Sequence, residues 1–83
     1  MNQVKYIIYA DRFGEKNFIF FNYTDVHDDW GRRLEASGFK IVSAGIAHID
    51  APTVFSGSTT LNIQQTPQRS IDDFKVISAK TSF

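Results

Sequence analysis

Nine Lys plus Arg stand against nine Asp plus Glu in these 83 residues, for a formal net charge of zero, and 42% of the side chains are hydrophobic, led by eight Phe. A chain of that size supports one core, burying roughly 60–65% of its unfolded surface; its apolar content excludes a disordered chain, and its charge balance lacks the basic excess that a phosphate backbone calls for. The absence of Cys excludes disulfides and thiolate chemistry and points to a reducing compartment, the cytoplasm.

Residues 1–83 are read as one domain. The opening residues, Met1 to Tyr6, run straight into a strand-like segment and do not read as a signal peptide. No apolar run approaches the length needed to span a bilayer. Val4 to Ala10, rich in β-branched and aromatic residues, predicts a first strand with Val4, Tyr6 and Ile8 on one face and Ile7 and Tyr9 on the other. A loop over Asp11 to Glu15, with Gly14 able to take a positive φ, makes a hairpin with the next segment.

That segment, Lys16 to Tyr23, is the one the rest must cover. It directs Phe18 and Phe20 to one face and Ile19, Phe21 and Tyr23 to the other, so both of its faces are apolar. Thr24 then offers an N-cap for a helix over about residues 25–37. Asp25, Asp28 and Asp29 complement its positive end, Arg32 and Arg33 lie nearer its negative end, and Gly38 closes it. Val26, Trp30 and Leu34 form its apolar stripe. Gly31 costs about 1 kcal/mol relative to Ala inside a helix, which implies a close approach to another backbone or ring.

Lys40 to Ile49 predicts a third strand in which Ser43, Ala44 and Gly45 leave room for large neighbours. The turn Asp50-Ala51-Pro52-Thr53 leads to a fourth strand, Val54 to Ile63, with Phe55, Leu61 and Ile63 on one face and a bulge at Gly57. After a polar connection, Ser70 offers an N-cap with Asp72 and Asp73 in the first turn. Ile71, Phe74 and Ile77 then give the stripe of a helix over about 71–79, with a fifth strand at Phe74 to Ser78 as the alternative. The assembled order is ββαββα. It describes an α+β fold with a four-stranded, mainly antiparallel sheet and two helices packed on it, most economically on one shared face. Phe18, Phe20, Trp30, Leu34 and Phe74 are expected in the core.

Several residues carry weak functional signals. His27, Asp28 and Asp29 diverge by about 100° per residue around a helix and do not converge on one metal ion; they read as complement to the helix dipole on a solvated face. His48 and Asp50 share a strand face and are candidates for a base or ligand pair, although no nucleophile is placed beside them. Arg32 and Arg33 are candidates to clamp a carboxylate or phosphate. Ser56 to Thr60 lacks the spaced glycines and Lys of a phosphate-binding loop.

The stronger signal is a surface. With both helices on one sheet face, the other face carries Ile7, Tyr9, Ile19, Phe21 and Tyr23, a set too apolar to stay bare. This predicts a homodimer through that face, with helices split across the two faces of a monomer as the rival explanation, and a non-enzymatic domain that binds macromolecules, without cofactor or metal. The alternatives are a nucleic-acid-binding module that stacks bases on the aromatic face, and a metal- or small-ligand-binding protein using His48 and Asp50.

Overall fold

The computed structural model describes residues 3–50 and 52–81; Ala51 of the expected turn lies outside them, as do the first two residues. The order is β1 (Gln3–Ala10), β2 (Lys16–Asn22), α1 (His27–Ala36), β3 (Lys40–His48), β4 (Thr53–Ser56) and α2 (Pro67–Lys80). The four strands form one sheet in the order β2-β1-β3-β4, every neighbouring pair antiparallel. This is the expected ββαββα, α+β architecture. The segment after Arg69 is helix and not a fifth strand.

The two helices do not share a face. Tyr6, Ile8, Ala47, Val54 and Ile77 form one cluster, joined by Phe18, Phe20 and Phe74, on the side that α2 covers. Ile7, Phe21 and Ala44 form a second, joined by Ile19, Trp30, Leu34, Leu61 and Ile63, on the side that α1 covers. The molecule is therefore helix on sheet on helix. The physical reason lies in the strands: β1 and β2 are apolar on both faces, and each face needs a cover of its own.

Connectivity assigns the covers. Because β1 is antiparallel to both of its neighbours, β2 and β3 run parallel, and α1 is the crossover between them. Such connections have one strongly preferred hand, which commits the helix to a face. The centre of the sheet is also displaced from expectation. The aromatic strand β2 is an edge, and the fully buried run is Tyr6, Ile7 and Ile8 of the central β1.

Local departures have local causes. Thr24 does not cap α1; its amide and hydroxyl both donate to Asn22 Oδ1 at 2.9 Å in a turn, and the helix begins at His27 after an uncapped Val26. The buried stripe shifts by one position, to His27 and Gly31 with Trp30 and Leu34 beside them, leaving Val26 exposed. α2 starts three residues before the expected cap. Pro67 supplies a pre-set φ in its first turn, and the Thr66 hydroxyl accepts from the Arg69 amide at 3.1 Å.

β4 ends early because Gly57, at φ +124°, turns the chain out of the strand while its amide still donates to Ala44 O at 2.8 Å. The residues beyond it close a loop through paired hydrogen bonds between Ser58 and Ile63.

Candidate functional site

The expected bare face is covered. Ile7 is completely buried and Phe21 is 6% exposed, both beneath α1. The Phe21 ring meets His27 edge-on and stacks on Trp30, each with centroids 5.5 Å apart. Ile19 is half-buried in the same cluster, and Tyr9 is half-buried against the Phe39 ring at 4.8 Å. Of the five residues, Tyr23 alone is exposed, with Lys5 Nζ 5.6 Å from its ring centroid. The helix supplies what a second copy was expected to supply, so the case for self-association through this face loses its premise.

The polar candidates are dispersed. His27 is buried, with Nε2 2.9 Å from Gly45 O; a carbonyl only accepts, so the ring proton sits on Nε2. Burial holds this imidazole below its ordinary value. Its expected place on the solvated side of the helix is corrected by the one-position shift of the buried stripe.

Arg32 pairs with Asp28 at 2.8 Å, and the Arg33 guanidinium lies 4.8 Å from the Trp30 ring centroid. His48 meets Phe55 edge-on at 6.0 Å, while Asp50 is exposed and no hydrogen bond joins the two. Among the described residues no three His, Asp or Glu side chains form a group able to hold a metal ion. The Ser56–Thr60 stretch cradles nothing anionic, since the Gly57 and Ser58 amides are committed to Ala44 O and Ile63 O.

What the structure does assemble lies along the two sides of α2. On one side, Pro52, Val54, Phe55, Ile71 and Phe74, with Thr53 and Ser70, line a shallow cleft of about 270 Å³ at the β4 edge. Phe55 is 51% and Ile71 50% exposed, and among the described residues no charged side chain lines the cleft. Ser70 closes the neighbouring stretch of the edge: its hydroxyl accepts from the Ser56 amide at 3.0 Å and pairs with the Ser56 hydroxyl at 3.1 Å.

On the other side, α2 lowers Asp73 into the sheet. Its Oδ2 accepts from the Tyr6 hydroxyl at 2.6 Å and from the Ser43 hydroxyl at 2.7 Å, with the residue 4% exposed. Burial raises the Asp73 carboxyl above its ordinary value, opposed by the two hydroxyl donors and by the Arg69 cation. The Tyr6 phenol is pushed up as well, first by burial and then by Asp73.

Gly45 makes the arrangement possible. A Cβ there would run into Phe55 O and lie 2.7 Å from the Tyr6 hydroxyl and 2.8 Å from Ser56 Cα. Beside this network opens a cleft of about 330 Å³ bounded by Lys16, Ser43, Arg69, Asp72 and Asp73.

Asp73 and Tyr6 escaped the sequence reading, but a signal was there. Asp73 stands four residues before Ile77, on the buried stripe of α2, and a carboxylate at such a position needs donors from the facing strand. Compared with protein-family models, curated proteins and solved structures, the chain matches none of them.

Proposed function

We propose that the chain is a non-enzymatic protein-interaction domain that pairs with a second copy of itself through the β4–α2 edge. The observation that carries the reading is the half-exposed pair Phe55 and Ile71 flanking one apolar, uncharged cleft. Depletion of charge with retention of aromatic and aliphatic side chains marks the centre of protein interfaces rather than nucleic-acid ones. An uncharged patch also meets its own copy without opposing like charges, and two-fold pairing is the commonest closed assembly. Stacking of bases on the sheet has lost its surface, because the β2 aromatics lie against the two helices.

Among the described residues no helix is long and apolar enough to cross a membrane. Together with the absence of Cys, this supports our placement of the domain in the cytoplasm.

Sedimentation equilibrium at micromolar concentration tests the pairing. The expected mass is twice the 9.4 kDa of one chain, falling to one chain in Phe55→Lys and Ile71→Lys while circular dichroism is unchanged. A wild-type mass that stays at 9.4 kDa at every concentration overturns the homodimer. In that case, loss of a captured protein in both variants would assign the same edge to a different partner.

A further inference from the structure

The polar cleft on the other side of α2 is lined by an arginine whose donors are only partly met. Arg69 Nε is buried without a hydrogen-bond partner, while Nη1 of the same guanidinium reaches Val42 O at 3.4 Å. Buried donors are almost always paired, and an unpaired one calls for a physical explanation. The two carboxylates nearby do not provide the partner. No ion pair joins Arg69 or Lys16 to any acidic side chain among the described residues. Asp72 Oδ1 instead accepts from Gln68 Nε2 at 3.0 Å, and Asp73 spends Oδ2 on Tyr6 and Ser43.

An arginine presents its donors as a planar fork matched to two oxygens of one anion. Nε itself is enclosed, but Nη2 makes no hydrogen bond among the described residues and keeps accessible surface, so the outer edge of the guanidinium, with Lys16 in the lining of the same cleft of about 330 Å³, fits an oxyanion. The remaining lining narrows the class. Asp73 Oδ1 accepts no hydrogen bond from the described residues and stands ready for a donor on the ligand. Ile8, Val42 and Val76 add apolar wall. Lys16 and Arg69 are balanced by Asp72 and Asp73, an environment for a molecule bearing both an acid and a donor rather than for a bare polyanion.

We propose that this cleft binds a small hydroxy or amino acid, its carboxylate on Arg69 and Lys16 and its hydroxyl or ammonium on Asp73 Oδ1. This site lies across α2 from the proposed dimer edge and does not depend on it.

Titration of the 15N-labelled chain with glycolate, glycine, acetate and inorganic phosphate tests the assignment, read at the Arg69 side-chain signals and at the amides of residues 42–43 and 66–76. Glycolate or glycine is expected to move these signals saturably and to bind more tightly than acetate or phosphate. Arg69→Lys should weaken that binding at least roughly tenfold, equivalent to about 1.4 kcal/mol. Lys16→Gln, at an exposed position, should weaken it by a smaller factor without touching the fold. Asp73→Asn keeps the acceptor for Tyr6 and Ser43 but turns the cleft-side atom into a donor, and should erase the preference over acetate. Arg69 side-chain signals unmoved by every probe overturn the site. Unchanged affinity in Arg69→Lys also overturns it, and phosphate binding as tightly as glycolate overturns the assigned class.

Discussion

The two helices cover opposite faces of one sheet and hold to it by different chemistry. α1 lies on Ile7, Phe21 and Ala44 and contributes one buried titratable group, the neutral His27 that donates to Gly45 O. α2 crosses the face where β3 carries Ser43 and Gly45, and it fills that space with a carboxyl group held by two hydroxyls. The lesson is that small strand residues do not merely make room for aromatic rings. They also admit a polar anchor, provided every group around it finds a partner.

The comparison turns on Gly45, whose carbonyl accepts from His27 and whose missing Cβ leaves room for the Tyr6 hydroxyl that holds Asp73, and the largest effect is expected there. Gly45→Ala forces a Cβ into Phe55 O and the Tyr6 hydroxyl. Urea unfolding should record a loss of about 3 kcal/mol or more, the upper range of overpacking. A loss under about 1 kcal/mol would mean that β4 yields easily and that the anchors are looser than described.

Next in size is Asp73→Leu, which leaves the Tyr6 and Ser43 hydroxyls buried and unpaired and should cost about 2–4 kcal/mol. Asp73→Asn, which retains an acceptor, should cost less than half as much by the same measurement.

The acid dependence separates the faces by sign. His27 titrates below its ordinary 6.5 when folded. The unfolded chain therefore takes up that proton first, and the His27 contribution is whole above pH 6.5 and declines as the pH falls below it. Asp73 titrates above its ordinary 3.8, so its contribution is whole below that value and declines as the pH rises through the folded value.

In the wild type the two limbs oppose each other. His27→Gln should cost about 1 kcal/mol or less at neutral pH, since Gln can still donate to Gly45 O. It should leave a stability that falls as the pH rises from 3.8, while Asp73→Asn should leave one that falls as the pH drops below 6.5. Urea midpoints measured across pH 3 to 8 check both; slopes of the same sign in the two variants would dissolve the contrast.

The smallest effect is expected at Gly31→Ala. The new Cβ would lie 3.0 Å from Leu61 Cδ2, the mobile end of a side chain, and the gain in helix propensity of about 1 kcal/mol offsets the crowding. Thermal unfolding should place the variant within about 0.5 kcal/mol of wild type. The close approach inferred for Gly31 from its cost is real, but its partner is an aliphatic tip rather than a backbone or a ring.

Much of the candidate chemistry was out of reach of sequence reasoning because burial, not residue type, created it. His27 looked like one of three solvated polar residues, and a shift of one position around α1 turned it inward. Asp73 looked like a first-turn acid, and an N-cap at Thr66 instead of Ser70 placed it in the second turn, on the buried stripe. Arg69 looked like part of a polar connection and is instead helical, with its Nε buried beside a cleft.

Residue periodicity alone determined the first five element types, their order and the α+β class, because alternation and the 3.6-residue stripe are local properties that each segment carries with it; the last segment it left between helix and strand. It also determined that β1 and β2 need cover on both faces. Only the tertiary structure decided that each helix takes a different face, that β1 and not the aromatic β2 is central, and that Asp73, Tyr6 and Ser43 meet. An amphipathic helix is equally satisfied by either apolar face. The choice between them is made by the path of the chain from strand to strand, which no local pattern records.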